Sequence, residues 1–309
     1  MGSTLSSGQP APAPARPTPD GPFPPPGFKS PHERTARNGD GVWEAWSGVD
    51  PIGGSSAIYR SRVHPDRYRR DIYVELLAID LQRVALHLSA GTHEPESLAV
   101  PQDERTGLIP EAEQPRLVAV FNGGFKARHG GFGMQVGSHV FVPAKPDACS
   151  VLLLEDGQVK IGMWSALQTQ SSPLRAHRQT PPCLVETGKL NPALNHPWKR
   201  RKWGLAVGGK EDVRRSAIGV DPSGRTLFYG LGEWVHALHL AEAMAAAGAV
   251  SAAQLDINWS YTRFLSYAPS ASEGTLEVRA ALIPKLVYHK HRYVEKPAYR
   301  DFFYLLRRP

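Results

Sequence analysis

The chain has little of the chemistry that would announce a cofactor or a membrane. Only two of its 309 residues are cysteine, Cys149 and Cys183. No Cys-x-x-Cys pair occurs, which argues against a thiolate zinc site or a thioredoxin-like redox centre. The two cysteines admit either one disulfide, in an oxidising compartment, or two buried thiols. No uninterrupted run of about 18 apolar residues exists to cross a membrane. The nearest, around Ala241–Leu255, is broken by Glu242 and Gln254. Met1 is not followed by a basic start and an apolar stretch, so no signal peptide is expected there. A Walker A loop, a Gly-x-Gly-x-x-Gly fingerprint and internal repeats are also missing.

What is present suits a folded protein with an anionic partner. Hydrophobic residues make up 41% of the chain, enough for a sizeable core. The formal net charge is +7 and the pI about 9.4. That balance favours an anionic substrate, an acidic surface or nucleic acid without choosing among them. Ten prolines fall within the first 31 residues, around QPAPAPARPTPDGPFPPPG. Such a segment favours extended polyproline II and buries too little surface to fold. Residues 1–34 therefore read as a disordered proline-rich tether and residues 35–309 as a single domain.

Within that domain strands dominate. DIYVELLAIDLQRVALHLSAG (71–91) reads as two strands split at Asp80. RLVAVFNGGF (116–125) is a buried strand running into glycines. SVLLLEDGQVKIGMW (150–164) and SAIGVDPSGRTLFYG (216–230) read as hairpins, turning at Glu155-Asp156-Gly157 and Asp221-Pro222-Ser223-Gly224. One strong helix is expected over 233–248, where Trp234, Leu238, Ala241 and Ala245 share a face and Gly248 stops it. These elements predict an α+β fold, a mixed and largely antiparallel sheet with few helices packed on it.

Six places are candidates for chemistry. Asp256 ends the apolar strand AAQLD, where a carboxylate either caps a turn or is displayed for catalysis. Asn122 precedes Gly123 and Gly124 at another strand end, and an amide there can both donate to and accept from a sugar hydroxyl. The glycines allow close backbone approach to a ligand, or simply a tight turn. Arg214 and Arg215 open a strand and point to opposite faces, so at most one enters a given site; a guanidinium matches two phosphate oxygens at once. His236, His239 and Glu242 share a helix face, which fits the polar side of an amphipathic helix better than a metal site. YHKHRY (288–293) fits the wet side of a strand. HPWKRRKWG (196–204) mixes basic residues and tryptophans, but without a binding module around it no nucleic acid is expected.

Taken in order, these segments resemble the phosphodiester glycosidase family, typified by the catalytic domain of the mannose 6-phosphate uncovering enzyme and its bacterial relatives. The resemblance spans roughly residues 70–285. It runs through LLAIDLQRVALHL, AVFNGGF, PPCLVETGKL, RRSAIGVDPSGRTLFYG, LAEAMAAAGA and AAQLD. The family follows its aspartate with three glycines and a serine. Here Asp256 and Ser260 match, while Ile257, Asn258 and Trp259 replace the glycines. Three glycines would let consecutive N–H groups face an anion, and a positive φ at β-branched Ile257 would be an outlier. The cradle is thus expected to be lost or rebuilt from side chains, with Asn258 donating and Trp259 stacking.

The resemblance implies hydrolysis of a sugar-1-phosphodiester between the anomeric carbon and oxygen. Asp256 would act at the anomeric carbon, as base toward water or as nucleophile. Arg215 would hold phosphate; Asn122, Gly123 and Gly124 would orient the sugar; Ser260 would be a secondary contact and His129 a spare acid or base. The partner would be a phosphorylated or anionic carbohydrate, with no cofactor and no metal required. The alternative is a glycan-binding or phosphoglycan-binding protein that kept the scaffold and lost turnover. The family is mostly exported, which implies a periplasmic, cell-surface or extracellular location. Nothing in the sequence bears on oligomeric state.

Overall fold

The computed structural model describes residues 21–169, 172–206, 208–270 and 275–309. The proline-rich residues 1–20 lie outside the described residues. The expected tether does not extend to residue 34. Phe23 packs edge-on against Tyr59 at 5.6 Å, Phe28 lies 5.6 Å from Trp43, and Ser30 Oγ donates to the His64 carbonyl. Aromatic burial holds residues 21–34 against the body.

Three sheets make up that body. The first has eight strands in the order Glu44–Ala45, Ile58–Val63, Val74–Asp80, Thr226–Val235, Val213–Val220, Ser251–Ile257, Val185–Glu186 and Lys189–Leu190. The second runs His139–Val142, Met134–Val136, Leu174–Thr180, Cys149–Leu154 and Val159–Met163. The third runs Leu276–Ala281, Phe264–Pro269, Leu117–Asn122, Phe302–Arg307 and Val84–Ser89. Every ladder among the described residues is antiparallel. The expected mixed, largely antiparallel sheet with few helices is thus antiparallel with few helices as expected, but divided into three sheets. Hairpins favour this arrangement, because they join neighbours without a crossover.

The two strands read from residues 71–91 both form, but Val74–Asp80 enters the first sheet and Val84–Ser89 the third. Asp80 manages the switch. Its buried carboxylate accepts from Gln82 N at 3.0 Å and from Arg225 Nε and Nη2 at 3.2 and 3.1 Å. Both faces of the first sheet are covered, so Val74–Asp80 is buried along its whole length. On one face Leu76, Ala78 and Phe228 meet Leu240, Ala243 and Met244 of the helix Ala237–Ala246. On the other, Leu77, Ile79 and Leu255 meet Phe121, Val151 and Phe303 of the other two sheets.

That helix starts later than expected, because Glu233–Val235 complete the strand Thr226–Val235. Its histidines are not a wet face. His239 stacks on His236 at 3.5 Å and sits 3.4 Å from Asp66, and Glu242 lies 3.2 Å from His32. Among the described residues no group of three His, Cys, Asp or Glu is placed to hold a metal ion. The segment 288–293 also departs from its expectation, forming turns in which His291 is buried. In the 196–204 cluster, Trp203 is core and donates Nε1–H to the Pro182 carbonyl at 2.7 Å, while Trp198 is exposed under Arg201. No helix among the described residues is long and apolar enough to cross a membrane.

Cys149 and Cys183 are joined by a disulfide, 34 residues apart in sequence. Cys149 opens a strand of the second sheet and Cys183 precedes the Val185–Glu186 strand of the first, so the bond ties two sheets together. Constraining a loop of this size contributes about 3–4 kcal/mol. The C149A/C183A double variant should lose about that much in denaturant unfolding. A loss below ~1 kcal/mol would mean that packing alone joins the sheets.

Candidate active site

The three sheets meet at the glycine pair that ends Leu117–Asn122. Gly123 N donates to the Asp301 carbonyl at 3.0 Å, and the Gly123 carbonyl accepts from Asp256 N at 3.0 Å. Gly124 N donates to Asp301 Oδ2 at 2.8 Å. A Cβ at Gly123 would lie 2.0 Å from Asp301 Oδ2, and one at Gly124 would lie 2.6 Å from Arg178 Cζ. Close approach, rather than an unusual φ, is what requires glycine here. Arg178 and Asp301 form a fully buried ion pair, Nε to Oδ2 at 2.9 Å. The same guanidinium donates to the carbonyls of Phe132 and Gln179, at 3.1 and 3.0 Å, and to that of Phe125.

Asp256 stands beside this pair, 5% exposed, near the end of Ser251–Ile257. Burial pushes its carboxyl up to about 6; Arg300 opposes the shift and Asp301 adds to it. Arg300 Nη1 is in ionic contact with Asp256 Oδ2. Oδ2 is buried, and Arg300 is the cation that meets it. Arg300 is held from behind as well: its Nη2 donates to the Gly124 carbonyl at 3.3 Å and its guanidinium lies 4.8 Å from the Tyr261 ring centre.

Two cavities share Asp256 and Arg300. The inner one, about 280 Å³, is further lined by Gly123, Gly124, Tyr261, Tyr293 and Asp301. The outer one, about 900 Å³, is an open cleft bounded by His129, Arg214, Trp234, Asn258 and Trp259. Asp256 thus faces both a small polar chamber and a large cleft.

The expected site residues divide accordingly. Gly123, Gly124 and Asn122 line the inner chamber, but the Asn122 amide is already occupied. Its Oδ1 accepts from Tyr229 Oη at 2.9 Å and Arg263 N at 3.2 Å, and its Nδ2 donates to Ser216 Oγ at 2.9 Å. Arg215 does not reach either cavity. Its guanidinium points to the helix side of the sheet and donates to the carbonyls of Trp203, Gly204, Glu211 and Val235. Burial lowers its pKa to about 10. Strand alternation instead sends Arg214 into the outer cleft. His129 borders that cleft, and burial together with Arg128 and Lys126 lowers its pKa.

The turn after Asp256 begins one residue along. Ile257 stays in the strand, opposite Arg215, and Asn258 takes the positive φ of 151°. Asn258 N donates to the Arg214 carbonyl at 3.2 Å, while its Oδ1 accepts from Ser260 N and Oγ at 3.0 and 2.8 Å. The amides of residues 258 and 260 are therefore occupied and offer no anion nest. Ser260 faces Asn258; Trp259 is 71% exposed over the cleft. Sequence reasoning missed Arg300 and Asp301. Their signal was Tyr299-Arg300-Asp301 directly before the apolar run FFYLL, the same acid-at-a-strand-end pattern met at Asp256.

No protein-family model matches the sequence, and comparison with curated proteins found no match. Solved structures do match in fold. The zebrafish N-acetylglucosamine-1-phosphodiester alpha-N-acetylglucosaminidase (NAGPA) catalytic domain, auto-inhibited by its pro-peptide, superposes with a TM-score of 0.51 at 12% identity, over 86% of this chain and 88% of that one. A hypothetical protein from Synechocystis gives 0.49 at 12% identity, over 84% of this chain and 64% of its own. At such identity the first likeness establishes a distantly shared fold.

Removing one partner of a buried ion pair leaves an uncompensated charge and costs about 3–5 kcal/mol. Asp301→Ala should lose that much in denaturant unfolding, because Arg178 and the Gly124 amide are both stranded. A loss within ~1 kcal/mol would show that the pair does not hold the junction.

Proposed function

We propose that the protein is a hydrolase of the phosphodiester glycosidase type, cleaving a sugar-1-phosphodiester between the anomeric carbon and its oxygen. The observation that carries this reading is Asp256: a carboxyl raised to about 6, reachable from two cavities, with Arg300 beside it. The fold shared with a domain named as an N-acetylglucosamine-1-phosphodiester glycosidase supports the same class of reaction.

In this reading the sugar occupies the inner chamber and the phosphate faces the outer cleft. Asp256 takes a proton from water, the water oxygen bonds to the anomeric carbon, and the carbon–oxygen bond breaks with its electron pair leaving on the phosphate. A phosphate monoester is a good leaving group, so no acid is needed on that side. Asp301 is in any case fixed by Arg178 and Gly124. Arg300 neutralises charge on the departing phosphate and positions Asp256. Arg215 and Asn122 act as structural supports, since their polar groups are occupied within the fold. The disulfide supports an oxidising compartment and hence export.

A second reading has its own observation. The ionic contact between Arg300 and Asp256 ties up the carboxylate, which favours a phosphoglycan-binding protein without turnover. A panel of sugar-1-phosphodiesters separates the two, since only the hydrolase releases phosphomonoester.

Removing the base should cost about 10²–10⁴-fold in rate. Asp256→Asn is expected to fall at least that far, and equal turnover by the variant would refute the assignment. Wild-type kcat/KM should rise as pH climbs through about 6, where Asp256 loses its proton, and level off above. The stability effect has the opposite sign. A carboxyl whose folded pKa is raised holds its proton more tightly when folded, so its contribution is present at low pH and lost as pH rises from about 4 to 6. Asp256→Asn should therefore unfold no more easily than wild type at pH 7.

A further inference from the structure

Backbone strain collects around the two cavities. Among the described residues, five other than glycine have positive φ: Thr187, Trp234, Asn258, Lys285 and Tyr293. Trp234 and Asn258 line the outer cleft and Tyr293 lines the inner chamber. Trp234 lies where the ladder between Val213–Val220 and Thr226–Val235 shifts register. A bulky side chain at φ 57° crowds its own backbone, yet it is 62% exposed and gains little from packing. Strain without a packing return points to a role in binding.

Trp234 does not stand alone. Trp259, 71% exposed, borders the same cleft. Arg214 fastens the two segments together, donating Nε–H to the Glu233 carboxylate at 2.9 Å and Nη1–H to the Trp259 carbonyl at 2.5 Å. One guanidinium thus links the two segments that carry the exposed indoles. The lining is also strongly cationic. Among the described lining residues, Lys126, Arg128, Arg201, Lys202, Arg214 and Arg300 face two carboxylates, Asp256 and Glu233. At about 900 Å³ the cleft is far larger than one phosphate group requires and matches the size of sites that enclose a whole ligand.

We propose that the outer cleft is the subsite for the group leaving with the phosphate, and that it selects a sugar ring carrying a second negative charge of its own. The indoles supply flat faces for the ring and the basic side chains meet the second anion. This deepens the reading of the site as a phosphodiester glycosidase and rests on it for the position of the scissile bond.

The test uses three diesters of one sugar-1-phosphate: to methanol, to a neutral hexose, and to a hexose bearing a further phosphate. Affinities are measured by calorimetry on the Asp256→Asn protein, where turnover does not consume ligand. The neutral hexose should bind roughly three- to tenfold more tightly than methyl, the gain of a ring stacking on indole. The charged hexose should bind more tightly still, with the extra gain fading as salt rises. Adding W234G should abolish the hexose gain without lowering Tm, since glycine accepts the positive φ and a merely structural tryptophan would be missed. Equal affinity for all three diesters, a hexose gain that survives W234G, or a lower Tm in that variant would each overturn the proposal. Turnover in the wild type separates the two ideas. Graded affinity with no hydrolysis of any diester would sink the catalytic reading and leave the cleft assignment standing, whereas hydrolysis with ungraded affinity would do the reverse.

Discussion

The buried pair of Arg178 and Asp301 is the contact on which the rest of the site depends. Arg178 comes from the second sheet, while Asp301 and the glycine turn belong to the third. The first sheet joins through Asp256 N, which donates to the Gly123 carbonyl. A fully desolvated ion pair is tolerable only when its remaining lone pairs and protons are matched. Here they are: Asp301 also accepts from Gly124 N, and Arg178 also donates to three carbonyls. The glycines are consequences of this contact, since any Cβ at either position would collide with the charged groups.

From that junction the electrostatics of Asp256 follow. Asp301 is compensated by Arg178 and lies next to Arg300, so two acids and two guanidiniums alternate in a small volume. Asp256 holds the outer position, where the lining opens to both cavities. Burial and the neighbouring Asp301 favour its neutral form and Arg300 its charged form, which leaves the group poised about 6 rather than at an extreme. A carboxyl so placed can change protonation near neutral pH, which is what acid–base work requires.

The stretch after Asp256 shapes the edge of the cleft. A run of glycines presents backbone amides. In this chain the same stretch keeps Ile257 in the strand, folds Asn258 over Ser260 and turns Trp259 outward. Positive charge along the cleft comes from side chains, with Arg214 in the first sheet and Arg300 in the segment that precedes Phe302–Arg307. Positive φ at Trp234 and Asn258 falls on the cleft lining rather than in the core.

Much of the fold was legible in the sequence because it is local. Strands read from apolar runs, the turns at Gly157 and Gly224, and a helix within 233–248 all depend on neighbours along the chain. So did the acid at a strand end, and the opposite facing of Arg214 and Arg215. What sequence could not assign was the direction of each polar group once sheets pack. Asn122 and Arg215 carry the right chemistry, yet their hydrogen-bonding capacity is taken up inside the protein. Arg300 and Asp301 lie nearly fifty residues beyond Asp256 in sequence and reach it only because the strand Phe302–Arg307 pairs with Leu117–Asn122. The sequence by itself determined the elements and the supply of charged groups. The tertiary structure decided which of those groups remain free to act, because burial satisfies some polar atoms and leaves others facing a cavity.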